Sequence, residues 1–177
     1  MRLTPLIPLT LPLTLAAANT LNVTVLGAKD NRSTLECWAL EPGFQTSNQA
    51  GTSGTEALNL GPIGGAHAAN ATYSVIPAGF DGGRHNAPAQ QWVVFLSGLA
   101  HITIPNSTAE AWILGGKHGT ILALDTADVS TVGHVTKYPS QEQTVSLQLP
   151  LGDAGVPGHV VLHSGACRGS EMLTESA

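Results

Sequence analysis

Residues 79–98 read G-F-D-G-G-R-H-N-A-P-A-Q-Q-W-V-V-F-L-S-G, and this stretch decides the fold. Its second half alternates as a strand does: Gln91, Val93 and Phe95 share one face, and Trp92, Val94 and Leu96 share the other. Both faces are apolar. Such a strand belongs between two packed layers or at a subunit interface. Past Gly98 the chain returns as L-A-H-I-T-I-P, with Ala100, Ile102 and Ile104 on one side and His101 and Thr103 on the other. Within the stretch Gly79, His85, Gln91 and Gly98 follow one another at intervals of six, six and seven positions.

Outward from this hairpin, short apolar runs recur between turn residues. They cover 34–40, 73–77, 91–97, 99–105, 109–114, 119–125, 132–138, 144–149 and 160–163. That spacing predicts an all-β sandwich or barrel in a single domain. No stretch holds a 3.6-residue apolar period over helical length. Residues 44–71 are rich in Gly, Ser, Thr, Asn and Ala and read as a long loop that could cover a pocket. The polar end at 170–177 reads as a fraying tail. The expected organisation is a leader at 1–18, an N-terminal strand and loop at 19–72, a barrel at 73–163 and a tail at 164–177.

Only 11% of the 177 residues are charged, and the net charge is −5 with His neutral. A chain without a basic patch is not expected to bind nucleic acid. The N-terminus has one Arg, a short apolar run broken by Pro and a small A-A-A stretch, the pattern of a secretory signal peptide cleaved near Ala18. That run is too short and Pro-rich for a membrane span, and no later segment qualifies. The expected location is extracellular. In such a compartment Cys37 and Cys167 form a disulfide; in a reducing one they are buried thiols. Four N-x-S/T sequons, at Asn22, Asn31, Asn70 and Asn106, are candidate glycosylation sites, with Asn106 at a hairpin tip the best placed.

The spacing Gly79, His85, Gly98 resembles the first motif of the cupin family, G-x5-H-x-H-x3-E-x6-G. Ala87 stands where the second His would be and Gln91 where the Glu would be. The later run Asp125-Thr-Ala-Asp-Val-Ser-Thr-Val-Gly-His134 is similar to the second motif, G-x5-P-x-G-x2-H-x3-N, with the Pro and Asn missing. It resembles most a divergent group of small single-domain cupins in bacteria and fungi. The resemblance implies a jelly-roll barrel (a double-stranded β-helix), often dimeric, with a small-molecule pocket. It also implies a metal site at His85, Gln91 and His134, taking Fe, Mn, Zn or Ni. Two imidazoles and one oxygen donor suit those ions, with water in the open positions. Gln in place of Glu removes a negative charge, so the ion is held more weakly and is a stronger Lewis acid. Without a metal, His85 and His134 remain candidate catalytic acids or bases.

Other residues have two readings each. Arg84 reaches a substrate carboxylate or is an exposed turn residue. Asp125 orients His134 or caps a turn. Trp38, Trp92 and Trp112 line a ligand cavity or fill the core. His101 and His118 read as solvent-facing, and His159 and His163 as structural. The G-G-K-H-G run at 115–119 lacks a phosphate-loop frame, and no nucleophile elbow is present. Three functions remain open: a secreted cupin-type tailoring enzyme of oxidoreductase, isomerase or lyase type, as in secondary metabolism; a non-catalytic extracellular ligand-binding protein; and a domain with a vestigial pocket.

Overall fold

The computed structural model describes residues 19–61, 71–153 and 155–172; the expected leader, His67 and Asn70 lie outside them. Among the described residues the chain is all strand and turn. β1 (Asn22–Lys29) and β2 (Arg32–Leu40) form a hairpin, and β3 (Gln45–Thr46) and β4 (Glu56–Ala57) a small second one. There follow β5 (Thr72–Ile76), β6 (Asp81–His85), β7 (Gln91–Ser97), β8 (Leu99–Thr103), β9 (Glu110–Leu114), β10 (Thr120–Ala123), β11 (His134–Lys137), β12 (Thr144–Pro150) and β13 (His159–Ser164).

Two sheets carry the fold. Seven strands run in the order β13-β2-β1-β10-β7-β12-β5 and four in the order β6-β11-β8-β9. All their pairings are antiparallel except β1 with β10, which is parallel with Thr24 opposite Ile121. The sheets pack face to face and their ladders do not close into a barrel. Between them lies a core of Leu26, Val93, Phe95 and Ile121 from the larger sheet and Ala100, Ile102 and Ile113 from the smaller.

The expected apolar bulk on both faces of β7 has a physical cause. Trp92 turns away from the inter-sheet core into a second cluster with Val23, Val25, Leu40 and Leu122 on the far side of the large sheet. Leu58 and Leu60, just past β4, pack on that cluster, and the Trp92 indole N–H donates to the Leu60 carbonyl at 3.3 Å. The described part of the 44–71 loop therefore covers the far face of the large sheet. Gly98 joins β7 to β8 at φ 81°, and a Cβ there would collide with Thr144. Only glycine makes this one-residue turn without strain.

The boundary expected at residue 73 is not one the fold respects. β1 and β2 are integral to the large sheet, with β1 an interior strand beside the central β10, so 19–40 and 73–163 share one core. The tail does not fray as far as residue 172: Cys167 and Met172 are buried with Cys37. The Cys37–Cys167 disulfide forms, across a sequence separation of 130. A loop of that length constrains the unfolded chain by about 4–5 kcal/mol on the chain-entropy estimate.

Candidate functional site

β6 and β11 pair antiparallel with His85 opposite His134. Cross-strand neighbours share a face: the His134 ring is buried, the His85 ring lies beside it at the exposed rim of the cavity, and their centroids lie 4.4 Å apart at 61°. Gly133, at φ 67°, lets β11 begin there. A Cβ on it would strike the His85 carbonyl.

Each ring is fixed through Nδ1. His134 Nδ1 donates to Asp125 Oδ2 at 2.8 Å, and His85 Nδ1 donates to the Gly83 carbonyl at 3.1 Å. With both Nδ1 atoms donating, the neutral rings carry their lone pairs on Nε2. Burial first, and then the positive charge that His134 can carry, hold His85 below its ordinary pKa of 6.5. At neutral pH His85 is therefore an acceptor and a potential metal ligand.

Asp125 is fully buried, where a bare carboxylate would be costly. It sits two residues beyond β10 in a closed polar network. Ser33 Oγ donates to Oδ2 at 2.6 Å, the Ala87 N–H reaches Oδ1 at 3.4 Å, and Ser33 and Ser130 hydroxyls meet at 2.9 Å. The Asn86 amide donates to the carbonyls of Asp125 and Ser130 at 2.9 and 2.8 Å. Of its two sequence readings, Asp125 takes the one in which it orients His134.

Beside the rings lies a cavity of about 220 Å³. Leu26, Val93, Phe95, Ile102 and Ile121 form its apolar wall; Gln91, Thr136, Tyr138 and Gln148 add polar groups. Gln91 is 7% exposed and lines the cavity. Gln148 is already committed, accepting from Ser74 and donating to Ser146. Burial pushes the Tyr138 phenol above its ordinary 10.0, so it stays protonated at neutral pH.

The structure thus brings His85, Gln91 and His134 to one cavity and sets the other candidates apart. Arg84 lies opposite Val135, one residue out of phase with His85, and does not line the cavity. Trp92 and Trp38 occupy the far side of the large sheet, and Trp112 is exposed; none lines the pocket. His101 faces outward, stacked on Trp112 and paired with Glu110 at 2.8 Å. His118, expected in solvent, is half-buried with an unpartnered Nδ1. His159 stacks flat on Trp38 at 3.6 Å.

Among the sequons, Asn31 and Asn106 are exposed at turns. Asn22 is not available for a glycan. It is 5% exposed, and its amide nitrogen donates to the Glu171 carbonyl at 2.6 Å.

Ser33, Ser130 and Asn86 were not legible as site residues, because Ser and Asn abound in this chain and nothing local marks these. A separate group, Cys37, His163 and Glu171, brings potential ligand atoms within 4.8 Å of one another, away from the cavity. Compared with known proteins, the chain matches no family model and no curated sequence.

Proposed function

We propose that the protein is a secreted, cupin-type jelly roll that binds a divalent transition metal and a small, mostly apolar molecule beside His85 and His134, and acts on that molecule as a tailoring enzyme. One observation carries the reading. Two imidazoles whose Nδ1 atoms are tied line one cavity together with the Gln91 side chain. The Gln91 amide oxygen is an acceptor, and the two Nε2 lone pairs accept a cation. The donor set fits a metal: His85 and His134 through Nε2 and Gln91 through its amide oxygen. A bound ion would act as a Lewis acid on a substrate oxygen and lower the pKa of its water.

The chain's own residues do the rest. Asp125 keeps His134 in one tautomer and orientation. Val93, Phe95, Ile102 and Ile121 exclude water and accept an apolar body of about one ring. The Tyr138 phenol, held protonated, donates to a second oxygen of the substrate. No Lys or Arg lines the cavity, which disfavours a substrate with a free anionic tail.

The alternative is a non-catalytic extracellular ligand-binding protein. Ala87 and Gln91 favour it, since the lining offers two fewer strong ligands than the motif it resembles. The disulfide and the exposed Asn31 and Asn106 are compatible with secretion and glycosylation. Exposed Val160, Val161 and Leu162 on edge strand β13 are compatible with the expected homodimer.

Metal titration of the disulfide-intact chain tests the reading. We expect one Zn, Mn, Fe or Ni per chain with a raised melting temperature, and loss of both in His85→Ala and in His134→Ala. Metal retained by either variant removes the proposed ligand set. No binding by the native chain leaves the ligand-binding alternative.

A further inference from the structure

The Cys37–Cys167 bridge is surrounded by groups a disulfide does not use. His163 on β13 is the register partner of Cys37 on β2. Its Nε2 lies 3.3 Å from Glu171 Oε2. Cys37 Sγ, a His163 ring nitrogen and a Glu171 oxygen all lie within 4.8 Å of one another. Cys167 Sγ is bonded to Cys37 Sγ but lies outside that three-residue group, so it joins as a fourth ligand only by turning about its side chain once the bond is opened. His163 Nδ1 is held at the Ser164 carbonyl at 2.9 Å, which is how metal-binding imidazoles are oriented.

We propose that this cluster is a redox-gated zinc site: with the disulfide reduced, Cys37, Cys167, His163 and Glu171 bind Zn(II). Two thiolates, one imidazole and one carboxylate make a four-coordinate set that suits zinc and disfavours Mg and Ca. In the oxidised chain the two sulfurs are bonded to each other and neither is a thiolate. A thiol reductant opens the S–S bond by supplying two electrons and two protons, and is itself oxidised to its disulfide. Zinc then displaces both protons to solvent as the two thiolates bind it.

The site outlasts the bridge because the C-terminal segment is held by other bonds. Cys167 N–H donates to Thr24 Oγ1 at 3.0 Å, Asn22 N–H to the Met172 carbonyl at 3.1 Å, and the Asn22 amide to the Glu171 carbonyl at 2.6 Å. β2 and β13 remain paired across the other side. The metal and the disulfide therefore staple the same two ends of the chain under opposite redox conditions.

Cobalt(II) is the probe, in a His85→Ala, His134→Ala background so that the cavity is silent. The oxidised chain should show no thiolate-to-cobalt charge transfer. After reduction by a water-soluble phosphine, one equivalent should give that near-ultraviolet band with intense visible bands of a tetrahedral ion. Zinc should bleach them one for one and raise the melting temperature of the reduced chain. His163→Ala and Glu171→Gln keep both cysteines and should each weaken cobalt binding at least about 10-fold, the loss typical even of a group that only orients a ligand. The inference is overturned by a reduced chain that gives no charge-transfer band, by one that unfolds with zinc present, or by unchanged affinity in both variants.

Discussion

The Ser33 hydroxyl donates to the Asp125 carboxylate at 2.6 Å, joining the start of β2 to the residue that holds His134. The same oxygen serves both partners. Removing the hydroxyl by Ser33→Ala should cost about 1.5–3 kcal/mol, the usual range for a bond to a charged group. Urea unfolding measures it. A loss well under 1 kcal/mol would show that Ser130 or water replaces the bond without penalty.

Asp125→Asn tests the orientation of His134. The amide keeps one acceptor oxygen for His134 and Ser33, sets its nitrogen against the Ala87 N–H, and removes the negative charge that holds the His134 Nδ1–H. Zinc affinity should fall by about 10–100-fold, as for loss of an orienting group, while the melting temperature of the metal-free chain falls less than in a variant that empties the network. Unchanged affinity would mean that His134 does not bind metal through Nε2.

Restoring the missing motif residues should strengthen the metal. Ala87 is buried, lines the cavity and points a methyl where the motif has its second His; Gln91 stands at the Glu position. Ala87→His adds an imidazole, and Gln91→Glu adds a negative charge beside the ion. Each should lower the zinc Kd at least about 10-fold, and the two should add further when combined. Calorimetry that finds neither variant tighter would place the metal elsewhere.

A pH dependence follows from the His163–Glu171 pair. The Ser164 carbonyl first, and then Glu171, raise His163 above its ordinary 6.5, so its contribution is full below 6.5 and is lost as pH rises through the raised value. The Arg168 N–H first, and then His163, lower Glu171 below its ordinary 4.5, so its share is full above 4.5 and is lost as pH falls through the lowered value. Both contribute together between about 4.5 and 6.5. The pair is exposed, so the effect is small and salt-screened. At low salt, melting curves of the disulfide-intact chain should fall from pH 6 to pH 8 more steeply than those of His163→Gln. Parallel curves would exclude the pair.

Much of the sheet architecture could be read from alternation alone. The 91–97 strand, its two apolar faces and the return through Gly98 are local facts, and each run placed from 73 onward lies on a strand. β1 escapes that reading although N-V-T-V-L-G-A-K is strand-like. Val23 and Val25 serve one cluster while Leu26 serves the other, so no polar face marks it. β6 was missed for the opposite reason: D-G-G-R-H has no apolar residue, and it is a strand only because β11 pairs with it. The histidine pair was legible because spacing marks it. The serines beneath it are not: Ser33 reaches Asp125 only through the tertiary pairing of β2 with β1 and of β1 with β10, and the turn that folds Ser130 back carries no distinguishing residue.

That parallel pairing also bears on the order in which the molecule assembles. The earliest-made strand of the described chain is an interior strand of the large sheet, and Thr24 cannot meet Ile121 until β10 has left the ribosome. Contacts of such long sequence separation close slowly. The β1–β2 hairpin, with apolar residues on both faces, must wait uncovered through most of synthesis. It is therefore the stretch on which chaperone binding and misassembly during translation should concentrate.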